Sequence, residues 1–224
     1  MITIVEPRFY WPETTLSMFP FLLEHVERCG RICYKSEEKI TPGSADTFVK
    51  KIRKNRHLSV LEHASVTAIV IGSRAMSHQL VRHRIATYSQ ESMRYCNYGK
   101  RDSLQVICPP SIGLPPGDYL MGAQNYEAIT LSFRQCRWVE QIDGAYYEYK
   151  CELDDGIRPE DARFVLPNAT KTELAVTFNL RQWRHVFTER ALNKHAQWEI
   201  RGIFSAILSA MQARLPVVFG DLGQ

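Results

Sequence analysis

Two stretches of this sequence read as buried strands, and the chain between them does not alternate strand with helix. Ala64 to Ile71 is apolar and rich in β-branched residues, as a strand covered by its neighbours would be. Thr172 to Leu180 alternates, with Leu174, Val176 and Phe178 on one side. Most of the other patterned segments read as helices. Leu16 to Cys33 is expected to be a first helix, bent at Pro20, whose missing N–H interrupts the ladder. Ser44 is expected to cap a helix running towards Asn55 after the Pro42-Gly43 turn, and Ser59 to Glu62 reads as a capping box. Arg74 to Arg82 fits a short helix. From about Asp118 to Cys151, the residues Tyr126, Ile129, Phe133, Cys136, Val139, Ile142, Tyr146 and Tyr149 step by three or four, marking a long amphipathic helix. Arg158 to Asp161 starts another after Asp155-Gly156. Arg181 to Leu192 and His195 to Leu215 follow, the last burying Ile203, Phe204, Ile207, Leu208 and Met211. Many helices with few, irregularly placed strands imply an α+β fold. The expectation is a small, mainly antiparallel sheet packed with several helices, in a single domain covering 1–224.

A chain of 224 residues buries roughly 70% of its unfolded surface and needs no staples. The six cysteines form no C-x-x-C and no zinc-finger spacing with His, so they read as reduced thiols, and no metal is expected. The longest apolar run, Val66 to Gly72, is strand-sized, and the N-terminal stretch lacks a basic-then-apolar signal, so a cytoplasmic protein with no membrane partner is expected. Net charge is only +4, with no basic tract, which weighs against a nucleic-acid-binding module. The 28 basic residues divide into 19 Arg and 9 Lys, a bias that fits recognition of small anions by planar guanidinium forks.

The region from Gln79 to Tyr95 concentrates chemistry. Arg82-His83-Arg84 sets three cationic donors together where a helix ends, and such a cluster calls for a compensating anion. If Tyr88 to Tyr95 is extended, Gln90, Ser92 and Arg94 share one face, opposite Ser89, Glu91, Met93 and Tyr95. An amide, a hydroxyl and a guanidinium in a row suit a sugar phosphate. Gln79 and Arg82, three apart on the preceding helix, can point the same way. Trp183 and Trp198 fit a core better than a stacking platform, and His25 and His78 read as surface or packing residues.

Arg82 to Tyr95, RHRIATYSQESMRY, resembles the R-H-R-x-x-S-x-N-E-x-S-x-R-Y motif of the flavin-dependent thymidylate synthases. Arg82, His83, Arg84, Ser92, Arg94 and Tyr95 match; Thr87 replaces a Ser, Ser89 an Asn and Gln90 a Glu. His57 to His63 is similar to the family's H-x-[ST]-x-x-E-H segment, and Ala162 to Pro167 to its A-R-x-x-L-P stretch. Asn179-Leu180-Arg181, His185, Arg190 and His195 to Arg201 follow in family order.

That resemblance implies reductive methylation of dUMP to dTMP. It also implies FAD as cofactor, 5,10-methylenetetrahydrofolate as carbon donor, NADPH or NADH as reductant, and a homotetramer whose active sites are shared between subunits. Arg190 would be catalytic, stabilising the ionised uracil, since a guanidinium does not act as a base at working pH. The nucleotide would meet Gln79, Leu80, Val81, Arg82, Gln90, Glu91, Ser92, Met93, Arg94, Arg163 and Arg190. The flavin would meet Ser59, Arg82, His83, Arg84, Gln90, Asn179, Leu180, Arg181 and His185. His57, Glu62, Ile85, Ser89 and His195 would lie in the flavin and folate neighbourhood. A related enzyme acting on another pyrimidine nucleotide is the rival expectation, raised by Gln90.

Overall fold

The computed structural model describes residues 1–120, 125–126 and 129–223, with backbone alone for Asn125, Tyr126 and Ile129. Its strands are β1 (Ile2–Ile4), β2 (Arg8–Tyr10), β3 (Ser65–Ser73), β4 (Thr87–Gln90), β5 (Leu104–Val106), β6 (Gly117–Tyr119), β7 (Asn125–Tyr126), β8 (Ile129–Thr130) and β9 (Lys171–Asn179). The helices are α1 (Glu13–Met18), α2 (Leu22–Ile32), α3 (Ser44–Lys54), α4 (Arg74–Leu80), α5 (Phe133–Asp154), α6 (Pro159–Ala162), α7 (Leu180–Phe187), α8 (Trp198–Arg214) and α9 (Pro216–Phe219). A four-stranded antiparallel sheet has the order β2-β3-β9-β4, and a three-stranded sheet the order β5-β1-β6. This is the expected α+β architecture. The residues group into two compact units. The first holds Met1–Arg8, Ile71–His78 and Gln90–Leu174; the second holds Phe9–Val70, Gln79–Ser89 and Ala175–Gln224.

In the first unit, β1 pairs in parallel with β5 and antiparallel with β6. Ile2, Ile4, Leu104, Val106 and Tyr119 supply buried side chains that form one core with Val139, Ile142, Tyr146 and Tyr149 of α5. The α5 residues recur at helical spacing, so one stripe of that helix faces this core. Two tyrosines pin the loop after the motif: Tyr146 Oη donates towards the carbonyls of Tyr98 (2.9 Å) and Arg101 (2.7 Å), and the Tyr98 N–H donates to Tyr149 Oη (3.3 Å).

In the second unit, the alternation of β9 feeds Val176 and Phe178 into an aromatic core. Trp183 lies 4.8 Å from Phe178 edge-on and 5.3 Å from Phe187 in a stack, and Phe187 meets Phe219 at 5.5 Å. All four rings are almost fully buried, and burying each stabilises the fold by roughly 1.5–3 kcal/mol. Trp183 Nε1 also donates to the Val66 carbonyl at 3.1 Å, so the indole is satisfied. The Arg184 fork grips Asp221 at 2.7 and 2.8 Å, and Arg53 adds a contact at 2.6 Å. The Arg184 hydrogen bonds hold the Asp221 pKa down to about 2.

Several expectations need correcting. The long helix begins at Phe133 rather than Asp118: Gly117–Tyr119 is strand, and Asn125–Tyr126 pairs with Ile129–Thr130. The parts of that expectation on residues 121–124 and 127–128 lie outside the described residues. Ser132 sets the start, since its hydroxyl accepts from Gln135 N–H while the Gln135 side chain accepts from Ser132 N–H. Ser44 is not a cap; Gly43 precedes the helix at φ +80°, and Ser44 Oγ donates instead to Glu27 at 2.7 Å. Ser59 to Glu62 lies in a 3-10 turn, Leu58–His63, without a side-chain cap, and Glu62 turns to Arg181. Helix α4 stops at Leu80, short of Arg82, and α8 opens at Trp198 rather than His195. The bend at Pro20 is a 3-10 turn, Phe19–Phe21, separating α1 from α2.

Candidate functional site

In the second unit the site is built where α4 ends and α7 loosens. After α7 the chain winds into a π-helical segment, Thr188–Leu192, a wider turn found often at functional positions. Arg190 sits in its middle. Its Nε donates to His83 Nε2 at 2.9 Å, and its Nη2 donates to the Gln79 carbonyl at 3.4 Å. No carboxylate pairs with Arg190 among the described residues.

His83 is buried, 8% exposed, with its ring 6.0 Å from that of exposed His185 and 6.4 Å from Phe178. Burial first, then the charges of Arg190 and His185, lower its pKa from 6.5 to about 4. The imidazole is therefore neutral near pH 7. Because Nε2 accepts, the proton of the neutral ring resides on Nδ1. The turn carrying it is fixed by Tyr88, whose hydroxyl points at the carbonyls of Leu80 (2.8 Å) and His83 (2.9 Å). Burial raises the Tyr88 pKa, so this donor keeps its proton.

Around this pair, Arg82 and Arg84 are exposed and have no ion-pair partner among the described residues. Val81, Ile85 and Ser89 are exposed as well. Asn179 caps α7, its Oδ1 accepting from the Gln182 N–H at 2.7 Å. Arg181 pairs with Glu62 at 2.6 Å, both about half exposed. His195 is exposed, its N–H bonded to Asn193 at 2.9 Å. His57 and Ser59 line a hollow of about 1070 Å³ in this unit, together with Cys33, Lys39 and Lys51. The side chains of Leu80 and Leu180 are fully buried, leaving only their main chains for a ligand.

In the first unit Gln90 is held by hydroxyls. Its Nε2 donates to Ser77 Oγ and to Thr172 Oγ1, each at 3.1 Å. Ser77 gives its own proton to the Arg74 carbonyl at 2.8 Å, so towards Gln90 it can only accept. The amide is thereby oriented, with Oε1 left as an uncharged acceptor.

The next residue is an anchor. The Glu91 carboxylate meets Arg101 at 2.8 Å and Lys171 at 3.2 Å, and its N–H donates to the Glu173 carbonyl at 2.8 Å. Burial alone would raise the Glu91 pKa. The hydrogen bond from Arg101, with the charge and hydrogen bond of Lys171, outweighs it and lowers the value.

The expected extended run to Tyr95 ends at Gln90. Ser92 opens a turn, its carbonyl accepting from Cys96 N–H at 2.8 Å and its Oγ from Arg94 N–H at 3.3 Å. Gln90, Ser92 and Arg94 therefore do not share a strand face. Met93 is buried, while Arg94 is exposed and lies against the Tyr95 ring. Arg163 lines a hollow of about 280 Å³ with Arg74, expected only to open a helix, and His78, expected as a surface or packing residue.

The sequence profile of the Thymidylate synthase complementing protein family matches residues 19–217. The chain belongs to that family. Its curated relatives carry the name flavin-dependent thymidylate synthase. The protein from Geobacter sulfurreducens is 38% identical over 205 residues, covering 88% of this chain and 81% of the relative. The one from Mycobacteroides abscessus is 35% identical over 200 residues, covering 88% and 78%. Among solved structures, the UMP/dUMP methylase PolB from Streptomyces cacaoi bound with 5-Br dUMP shares the fold. The TM-score is 0.70 at 23% identity, over 98% of this chain and 96% of that one.

Proposed function

We propose that this chain, 1–224 acting as one functional domain, is an FAD-dependent thymidylate synthase. It converts dUMP to dTMP with 5,10-methylenetetrahydrofolate as carbon donor and NADPH or NADH as reductant. It works as a cytoplasmic homotetramer whose active sites are shared between subunits. The observation that carries this reading is Arg190, a half-buried guanidinium docked on a neutral imidazole with no carboxylate partner among the described residues. A cation left uncompensated in this way is ready for an anion that forms during the reaction.

Carbon 5 of uracil becomes nucleophilic as the N3 position ionises. Arg190 would stabilise that negative charge and cannot itself serve as the base, because a guanidinium stays protonated. His83 would act through Arg190, holding the guanidinium in place without neutralising it. Gln90 would offer Oε1 as an acceptor in place of the family's carboxylate. Arg82, Ser92, Arg94 and Arg163 would bind the nucleotide with Gln79, the main chains of Leu80 and Met93, and neighbouring Val81. Glu91 would hold the segment by its ion pairs.

The donor set fits an adenine dinucleotide. Ser59 and His57 line a large hollow that also presents Lys39 and Lys51, and Arg82 and Arg84 are exposed cations suited to a pyrophosphate. With Asn179, Leu180, Arg181 and His185 these are the residues that would hold FAD, with Glu62, Ile85, Ser89 and His195 near it. When bound, the flavin supplies the hydride; the protein binds and polarises.

The test is the visible spectrum of purified protein with added FAD, followed by dTMP formation from dUMP, folate and NADPH. A protein that takes up no flavin and forms no dTMP rejects the proposal. Gln90 favours a second reading, a methylase of a different pyrimidine nucleotide, and the solved relative in fold is named for both UMP and dUMP. Running UMP and dCMP beside dUMP separates the two: a preference for either over dUMP selects the second.

A further inference from the structure

Helix α4 ends at Leu80, and the last carbonyls of a helix lack partners within it. In the turn that follows, the His83 N–H donates to the Leu80 carbonyl at 3.2 Å. One side chain then closes the turn: the Tyr88 hydroxyl, 2.8 Å from the Leu80 carbonyl and 2.9 Å from that of His83. A phenol has a single proton to share between those two acceptors. The same turn carries both groups that receive Arg190, the Gln79 carbonyl and His83 Nε2. The Tyr88 ring stands edge-on to Phe178 at 6.1 Å, and Phe178 meets the His83 ring at 6.4 Å, so one core ring backs both the tyrosine and the imidazole.

On the reading of Arg190 given under Proposed function, we propose that Tyr88 is a positioning residue for catalysis: its hydroxyl holds the Gln79–His83 turn, and the turn holds the Arg190 guanidinium. Tyr88 touches no reacting atom. It keeps two acceptors in register for one donor, and a displacement of roughly an ångström at such a donor can cost about 100-fold in rate. Holding the turn also keeps the imidazole neutral. The charged and titratable groups facing His83 are Arg190 of the π-helical segment, His185 of α7 and Tyr88 of β4, with no carboxylate among them. Burial is the leading cause of the lowered His83 pKa. A slack turn lets water reach the ring, the pKa rises, and a protonated ring has no lone pair left to receive Arg190.

The experiment compares full-length wild type, Tyr88→Phe and Thr67→Val. The phenylalanine keeps a ring against Phe178 and deletes only the hydroxyl. Thr67→Val breaks the Thr67–Thr177 hydroxyl pair (2.7 Å) between β3 and β9, a control for a hydrogen bond lost elsewhere in the same sheet. The readouts are kcat for dTMP formation at saturating dUMP across pH, and the NMR titration of the His83 ring, assigned by its absence in His83→Gln. Thermal melting is the fold control. Tyr88→Phe should lower kcat about 10- to 100-fold. The acid limb should move up from about pH 4 towards 6.5, and the ring titration with it. Thr67→Val should melt lower with neither change. An unchanged kcat in Tyr88→Phe, or a lower kcat whose acid limb and ring titration stay in place, overturns the proposal. If wild type forms no dTMP, the thymidylate reading fails and the ring titration alone decides. A His83 value that rises in Tyr88→Phe keeps Tyr88 as the holder of the turn, and one that stays put removes it.

Discussion

The Arg190–His83 pair of the second unit and the Glu91 clamp of the first unit use charge in opposite ways. At Glu91 a largely buried carboxylate is matched by two cations at 2.8 and 3.2 Å, so its charge is satisfied within the fold. At Arg190 the fold supplies a neutral ring and a carbonyl, so the cation is oriented without being neutralised. Compensated charge holds structure, and charge left open is available to a ligand. The two regions teach that partners, where residue type does not, separate a charge matched inside the fold from one left open.

The contrast is tested most severely at Arg190. Arg190→Ala should lower kcat by at least about 100-fold, the loss typical of removing a donor to developing negative charge, while flavin uptake read by absorbance persists. Full turnover in that variant would break the distinction. Glu91→Gln should act on stability instead. Loss of the charged partner costs roughly 1–3 kcal/mol in denaturant unfolding at neutral pH, and kcat at saturating nucleotide should change far less than in Arg190→Ala. The sign with pH follows from the lowered Glu91 pKa. The clamp contributes fully above the unfolded carboxylate value of 4.5 and is lost as pH falls through the folded value. Wild type and Glu91→Gln should therefore converge in acid; a gap that stays constant down to pH 2 contradicts the clamp. The smallest effect is expected at the exposed Glu62–Arg181 pair. Glu62→Ala should shift stability by only ~0.2–1 kcal/mol, screened by salt, and any larger change should appear in flavin affinity.

Much of this was legible in the chain. The alternation of Leu174, Val176 and Phe178 and the stripe from Ile203 to Met211 both face cores in the structure, because each pattern is long enough to show its period. The N-terminal strands were not. β1, β2, β5 and β6 have three residues each, too few to display alternation, and β1 finds β5 about a hundred positions away. The true start of α5 was written in Ser132-x-x-Gln135, but the apolar spacing upstream mimicked a continuing helix. At the site, residue types from Gln79 to Arg94 were readable. The turn at Ser92 was not, since it rests on a side-chain bond rather than on glycine or proline. Nor was the hollow that Arg74 shares with Arg163, because its two arginines lie far apart along the chain.

The wide turn at Thr188–Leu192 carries one more lesson. Arg190 lies seven positions after Trp183, close to two full α-helical turns, so an uninterrupted α-helix would aim it the same way as that buried indole, into hydrocarbon. Loosening the spiral by part of a turn swings the guanidinium off that heading and onto imidazole. A local change of pitch, with no loop inserted, is enough to take a side chain off an interior heading and onto a polar partner.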